Sequence, residues 1–371
     1  MGIKVLQVTS GLHRNGTETF IMNVLRNLDR EKIIFDFLLY EHTDTGYEEE
    51  ARELGANLYY YAPRRKGLRA YRQSLKEFFE NHAAEYQAIH LNAGSFSDTY
   101  PLKLAKEHGI PVRISHSHSS STSGLHNRIL HKWHRKNIHR IATDFLACSD
   151  VAREWGYRGS SVYDKSTVIP NGIKMADFAY NDQWRKEIRK QLGISENTFT
   201  LCHTGAFRPV KNHPFIIDIF AEVKRRNPDS RLILCGAGGL ENDIKALVKD
   251  RGLENSVIFA GIREDVNKIL SASDAYIFPS LYEGLPFALI EAQASGIPVI
   301  ASDNISPEIK LTERIEQLSL SSATNDWVET ILGKKGGKRT GAESEGLQKY
   351  DIANTCRLLT DIYTSAKRDK R

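Results

Sequence analysis

The sequence predicts an α/β protein built from two doubly wound halves. Short apolar runs bounded by turn residues alternate with segments of helical 3–4 apolar spacing, which is how parallel strands and their covering helices read. The alternation runs from residue 3 to 148, breaks over 168–197 and restarts at 198. The length, 371 residues, is about twice a common domain.

The elements follow in order. Residues 3–8 (IKVLQV), bounded by Ser10 and Gly11, read as a buried strand. The spacing of Phe20, Ile21, Val24, Leu25 and Leu28 predicts a helix over 19–28. A strand over 33–40, a helix over 70–80 and short strands over 88–91, 112–115 and 145–148 complete the first half; the 112–115 strand follows the turn Gly109-Ile110-Pro111. Val168-Ile169-Pro170-Asn171-Gly172 reads as a turn, with a polar, charged stretch after it to Asn197. The second half then has a strand over 198–203, a loop over 205–213, a helix over 214–226 and strands over 231–235, 257–259, 275–278 and 299–301. Residues 333–346 (GKKGGKRTGAESEG) form a loop without periodicity, and 350–366 regain helical spacing. Domains are expected over 1–165 and 166–349, with the helix of 350–371 docking on the first. Ligands of such sheets bind at the carboxyl ends of the strands, here in the cleft the halves are expected to face.

Composition excludes several classes. Hydrophobic residues at 40% and charged residues at 26% are an ordinary globular balance. No apolar run approaches the roughly 20 residues a bilayer span needs. The start, MGIKVLQVTSG, lacks a charged-then-apolar leader, and Leu6 stands where a myristoylation motif needs Ser or Thr. The four cysteines have no C-x-x-C pair, which reads as reduced thiols in a cytoplasm. Lys plus Arg (51) less Asp plus Glu (46) leaves +5, too little to imply a nucleic-acid partner. Charge is local instead: between Asp98 and Asp144 the only acid is Glu107, while Arg128, Lys132, Arg135, Lys136 and Arg140 cluster.

The stretch 280–303, SLYEGLPFALIEAQASGIPVIASD, is the richest in chemistry. Glu283 and Glu291 are separated by seven residues, and Pro286 suits the first turn of a helix. That places Glu283 at the helix mouth, where amides and dipole attract phosphate, and Glu291 deeper, able to accept hydrogen bonds from a ribose diol. A plain N-terminal charge and a solvated helix residue remain the alternatives. This stretch, E-G-L-P-x-x-L-I-E-A-x-A-x-G-x-P-V-I, resembles the retaining, sugar-nucleotide-dependent glycosyltransferases of the two-Rossmann-domain fold called GT-B (group 1, family 4 type). Within them it is most similar to bacterial capsular and exopolysaccharide enzymes. The resemblance covers nearly the whole chain and is strongest over 205–303.

The resemblance implies roles. Glu283 would contact the donor sugar and Glu291 the ribose, with Gly284 and Leu285 along the sugar and phosphates. The loop Gly205-Ala206-Phe207-Arg208-Pro209-Val210-Lys211-Asn212-His213 would meet the leaving diphosphate, whose charge of about −2 to −3 needs fixed cations. Lys211 would supply one. The family places Arg directly after the glycine; here Ala206 stands there, and Arg208 is the substitute candidate. A solvated loop is the alternative for both cations. Gly16 would let amides of the 11–18 loop approach a sugar or anion, although Asn15-Gly16 replaces the family's two glycines and a plain turn accounts for it as well. His118, preferred over His116, would face the donor sugar; a purely structural histidine is the alternative. Gly236 and Gly238 would approach the base or phosphate, or serve packing alone. Asn171-Gly172 is assigned to architecture.

The implied activity is transfer of a hexose from a nucleotide sugar, UDP-linked, to a glycan or lipid-linked glycan in surface polysaccharide biosynthesis. The first domain would be the acceptor side and the second the donor side. Retention, no metal and no cofactor beyond the nucleotide sugar co-substrate are implied. The basic segment 126–140 is a candidate contact with anionic membrane, placing the protein at the inner face of the cell membrane; a solvated basic face is the alternative. Rival readings are a degenerate GT-B partner protein, for which Ala206 speaks, and an epimerase or phosphorylase. A nicotinamide dehydrogenase is disfavoured, since G-x-G-x-x-G is missing after the first strand.

Overall fold

The computed structural model describes residues 2–42, 46–119, 122–283, 285–336, 339 and 344–368. Two parallel sheets organise it. The first holds β1 (Ile3–Val8), β2 (Ile33–Leu39), β3 (Leu58–Tyr60), β4 (Ala88–Ala93), β5 (Val112–Ser117), β6 (Asp144–Ala147) and β7 (Thr167–Val168) in the order β3-β2-β1-β4-β5-β6-β7. The second holds β8 (Phe199–Thr204), β9 (Ser230–Cys235), β10 (Val257–Gly261), β11 (Ala275–Phe278), β12 (Val299–Ser302) and β13 (Ile315–Leu318) in the order β10-β9-β8-β11-β12-β13. Both are Rossmann-like, and strand order reverses at β1/β4 and at β8/β11, the places where ligands bind such sheets.

Strands buried on both faces read as continuous apolar runs, and β8, with all six residues buried, is an example. One apolar cluster in the second unit joins Tyr276, Phe278 and Leu289; another, with Ile216, Phe220 and Trp327, joins Leu201 and Ile277. Chain contacts divide the protein into Met1–Gly172 with Ile352–Arg371, and Ile173–Asp351. In the first unit Cys356, Leu359 and Tyr363 of the terminal helix Ile352–Arg368 are buried, with Tyr363 against Phe35. A Cβ at Gly172 would lie 2.6 Å from Thr355 Oγ1 and 2.8 Å from Ile352 Cα, so only glycine lets the chain pass that helix.

Two segments depart from their sequence reading. The polar stretch after Gly172 contains the helix Asp182–Gln191, whose buried residues are Ile188 and Arg189. The Arg189 guanidinium donates to the carbonyls of Ala272, Ser195 and Thr198 and to Asp274 Oδ2 at 2.9 Å, so a charge holds the helix where apolar periodicity is missing. The expected turn at 168–172 begins inside β7, a two-residue edge strand beside β6.

Candidate functional site

In the second unit the loop after β8 and the loop after β11 are stitched together. Leu281 N donates to Val210 O at 2.8 Å and Asn212 Nδ2 to Pro279 O at 3.2 Å. Asn212 takes a left-handed φ of 55°, a conformation asparagine tolerates. This brings Lys211 Nζ within 2.7 Å of Glu283 Oε1, with the ammonium 4.5 Å from the Phe278 ring centroid. Arg208 is exposed and its side chain has no hydrogen-bond or ion-pair partner among the described residues.

Pro286 sits one residue further out than expected. It is extended, at ψ 131°, and the helix runs Phe287–Ala294, so Glu283 lies ahead of the first turn, in a bridge with Ile305. Glu291 is inside that helix and half-buried. Desolvation pushes its carboxyl up to about 7, and the carboxyl has no hydrogen-bond or ion-pair partner among the described residues. Leu285 packs against the apolar cluster beneath. Gly284 lies outside the described residues.

The glycines of the neighbouring loops are explained by packing. A Cβ on Gly236, at φ +142°, would lie 2.1 Å from Gly205 O, and one on Gly238 would lie 2.6 Å from Phe207 O. At Gly205 a Cβ would meet His203 Nε2 at 3.0 Å and the Lys211 side chain at 3.2 Å. His203 Nδ1 is occupied by Ile277 O at 2.9 Å, while its Nε2 and Ser280 Oγ are buried without partners. Buried polar groups are normally satisfied, so His203 in β8 and Ser280 just after β11 leave unmet hydrogen-bonding capacity among the described residues at the strand ends that carry the Lys211 and Glu283 loops.

In the first unit Gly16 begins the helix Gly16–Asn27 behind Asn15, exposed, with nothing within 4 Å of a Cβ built on it. His118, one residue past β5, donates from Nε2 to Asn92 Oδ1 at 3.0 Å, and its ring centroid is 3.9 Å from that of His116. Burial pushes His118 down to about 3, so its imidazole is neutral at working pH. Residues His90, Asn92, Gln7 and Tyr363, which bond around it, were missed from the sequence. The His-x-Asn of β4 beside the His-x-His of β5, polar residues at period two, was the available signal.

On the helix Leu125–Asn137, Leu125, Ile129 and Trp133 are 75%, 58% and 61% exposed, spaced i, i+4, i+8, with Arg128, Lys132 and Lys136 exposed beside them. A cavity of about 270 Å³ next to Trp133 is lined by Arg64, Arg72, Lys103 and Arg140. At the carboxyl ends of β2 and β3 lies a second cavity, about 510 Å³, lined by Tyr40, Glu41, His42, Tyr60, Arg65 and Lys66 among others. No described helix is long and apolar enough to cross a membrane, and no three described His, Cys, Asp or Glu residues group to hold a metal.

Two reversal-point sheets, each carrying such a rim, define a GT-B fold. The chain belongs to the group 1 glycosyltransferases: residues 185–313 match the family of glycosyl transferases group 1, and residues 14–177 match glycosyltransferase family 4. It is 32% identical to the putative glycosyltransferase EpsF of Bacillus subtilis (strain 168), over 97% of this chain and 96% of that one. It is 31% identical to the UDP-Gal:alpha-D-GlcNAc-diphosphoundecaprenol alpha-1,3-galactosyltransferase of Escherichia coli, over 53% of this chain and 52% of that protein. The fold is shared with Anabaena Alr3699/HepE, whose structure holds UDP and glucose, at a TM-score of 0.77 and 18% identity over 98% of this chain and 100% of that one.

Proposed function

We propose that the protein transfers a hexose from a UDP-linked sugar to a lipid-linked glycan, with retention at the anomeric carbon, in surface polysaccharide assembly. The observation that carries this reading is the Lys211–Glu283 pair at 2.7 Å on the loops that follow β8 and β11, where the strand order reverses. The UDP-Gal donor and diphosphoundecaprenol-linked substrate in the name of the E. coli relative support the donor and acceptor classes.

In this reading the ribose diol donates to the Glu291 carboxylate, and the diphosphate draws Lys211 from Glu283, with Arg208 as second cation. Glu283, released, accepts from a hydroxyl of the donor sugar, along which Leu285 lies. Gly205, Gly236 and Gly238 hold the backbone floor of the nucleotide side. The bond from the anomeric carbon to the diphosphate oxygen breaks, the acceptor oxygen bonds to that carbon on the same face, and its proton passes to the departing diphosphate. Lys211 and Arg208 meet the charge that develops there, which is the task a metal would otherwise perform, so no metal or cofactor is required. In the first unit, His118 and the amides after Gly16 are the groups proposed for a sugar. The exposed Leu125, Ile129 and Trp133, with their basic neighbours, support docking on an anionic membrane.

The test incubates the protein with UDP-galactose or UDP-glucose and an undecaprenyl-diphosphate-linked N-acetylhexosamine, and reads product and anomeric coupling by NMR. An α-linked product from an α-donor, formed in EDTA, is expected. Hydrolysis or epimerisation of the donor without any glycoside would contradict the reading.

A further inference from the structure

A buried polar network stands behind His118, and its hydrogen-bond directions can be assigned. Gln7 of β1 pairs with His90 of β4, and Asn92 pairs with His116 of β5. Parallel register and period two put Gln7, His90, Asn92, His116 and His118 on one face of the sheet. Phe20 of the helix Gly16–Asn27 and Tyr363 of the terminal helix cover that face: Phe20 lies 5.2 Å from both His116 and His118, and Tyr363 5.9 Å from His90, measured between rings.

Asn92 sets the first direction. Its Nδ2 lies 3.2 Å from the His90 carbonyl, which can only accept, so Nδ2 is the amide end there and Oδ1 faces His118. His118 must then donate from Nε2. The same Nδ2 donates to Gln7 Oε1 at 2.9 Å, which turns the Gln7 amide nitrogen toward Tyr363 Oη at 3.2 Å. Tyr363, accepting from Gln7, donates to His90 Nδ1 at 2.7 Å; His90 Nε2 donates to His116 Nδ1 at 3.0 Å. His116 Nε2–H is left facing the Ala147 carbonyl without an aligned bond. Flipping either amide would set two acceptors against each other at the His90 carbonyl or two donors at Gln7. Burial holds all three imidazoles neutral, so each has one tautomer to choose.

We propose that Asn92, itself oriented by the His90 carbonyl and Gln7, is the positioning residue that fixes His118 as its Nε2–H tautomer, leaving Nδ1 as an acceptor, and that Gln7 and Tyr363 set the direction of the bonds through His90 and His116. Through Tyr363 the last helix of the sequence takes part in ordering His90 and His116. The consequence for transfer rests on the reading that His118 faces the donor sugar; the tautomer itself does not. A histidine with fixed ring orientation holds its own backbone and ring nitrogens in one arrangement when the donor arrives.

The test labels histidine with 15N and correlates ring nitrogens with ring protons over about pH 6 to 8 in the full chain. His118 should show a protonated Nε2 and a lone-pair Nδ1; a protonated Nδ1, or a mixture, overturns the proposal. In Tyr363→Phe the signals of His90 and His116 should change while His118 keeps its form, and an unchanged His90 would overturn the role of Tyr363. Asn92→Asp, protonated in this buried site, keeps an acceptor for His118 and a donor toward the His90 carbonyl, whereas Asn92→Leu fills the site with neither. UDP-sugar turnover should fall roughly tenfold in kcat in Asn92→Leu, the equivalent of one hydrogen bond, with donor KM unchanged and Asn92→Asp clearly the more active. The reverse order marks a packing role and overturns the proposal. Intact tautomers in a protein that turns over no UDP sugar would uphold the network and count only against the proposed function.

Discussion

Lys211 and Glu283 form an ion pair at 2.7 Å across two loops that follow different strands, each side chain about a fifth exposed, at 16% and 22%. Neither loop positions its charge alone: Asn212 ties one to Pro279 and Val210 receives Leu281 from the other. The Lys211 ammonium is thus held by a carboxylate of the other loop.

If Lys211 meets a diphosphate as proposed, that relationship makes Glu283 an antagonist of its binding. Glu283→Gln should bind UDP several-fold more tightly than wild type, because Lys211 is released, yet turn over a UDP sugar more slowly. Lys211→Ala should weaken UDP and lower kcat by about 10²–10³, the usual loss of a fixed charge at a developing anion. Calorimetry with UDP and initial rates check both. Weaker UDP binding in Glu283→Gln would show that the pair does not compete with the ligand.

Glu291 gives a pH dependence with a defined sign. Hydroxyl donors favour the ionised carboxylate, and the free carboxyl ionises near 7. UDP affinity should rise as pH increases through about 7 and then level off, by at most tenfold per pH unit below it. In Glu291→Gln this limb should vanish, measured by titration between about pH 5.5 and 8.5. A flat wild-type profile would remove Glu291 from the ribose.

The same shift predicts a cost to stability. Glu291 holds its proton in the folded protein up to about 7 but loses it near 4.5 when unfolded. The folded state thus binds more protons across that window, and stability falls as pH rises from 4.5 to 7. Glu291→Gln should be more stable than wild type at pH 8 by up to about 3 kcal/mol, with the difference gone below the unfolded value. Urea unfolding at pH 4 and pH 8 reads it; equal differences at both would contradict the assignment.

For the helix Leu125–Asn137, replacing Leu125, Ile129 and Trp133 together by Ser should abolish sedimentation with vesicles containing phosphatidylglycerol while leaving UDP binding intact. Lys132→Glu with Lys136→Glu should weaken it by about 1 kcal/mol per charge at low salt. Sedimentation unchanged in both variants would make this an ordinary solvated face.

The strands were legible wherever burial on both sides made the sequence continuously apolar: 3–8 and 275–278 are found at those bounds, as β1 and β11. The two-residue β7 was not, because an edge strand buries too little to leave a pattern, nor was the helix Asp182–Gln191, which a buried arginine holds in place of an apolar stripe. At the site, the positions of Glu283 and Lys211 stood out by their motifs, but their contact could not, since it depends on how two loops 70 residues apart are joined. Gln7, His90, Asn92 and Tyr363 were invisible for the same reason: each is an unremarkable polar residue until parallel register brings it to its neighbour. Glycines showed the converse, with Gly236 and Gly238 conspicuous in sequence and accounted for by the crossing of two backbones.

Glu291 and Lys211 are proposed to hold a uridine diphosphate, and the deciding experiment is thermal unfolding of the pure protein against UDP, GDP, ADP, CMP and NAD, with Glu291→Ala alongside. UDP at a hundred times its dissociation constant should stabilise the wild type by about 2.7 kcal/mol, and the shift should be lost in Glu291→Ala. No shift with any nucleotide, or a UDP shift that Glu291→Ala retains in full, would contradict the account.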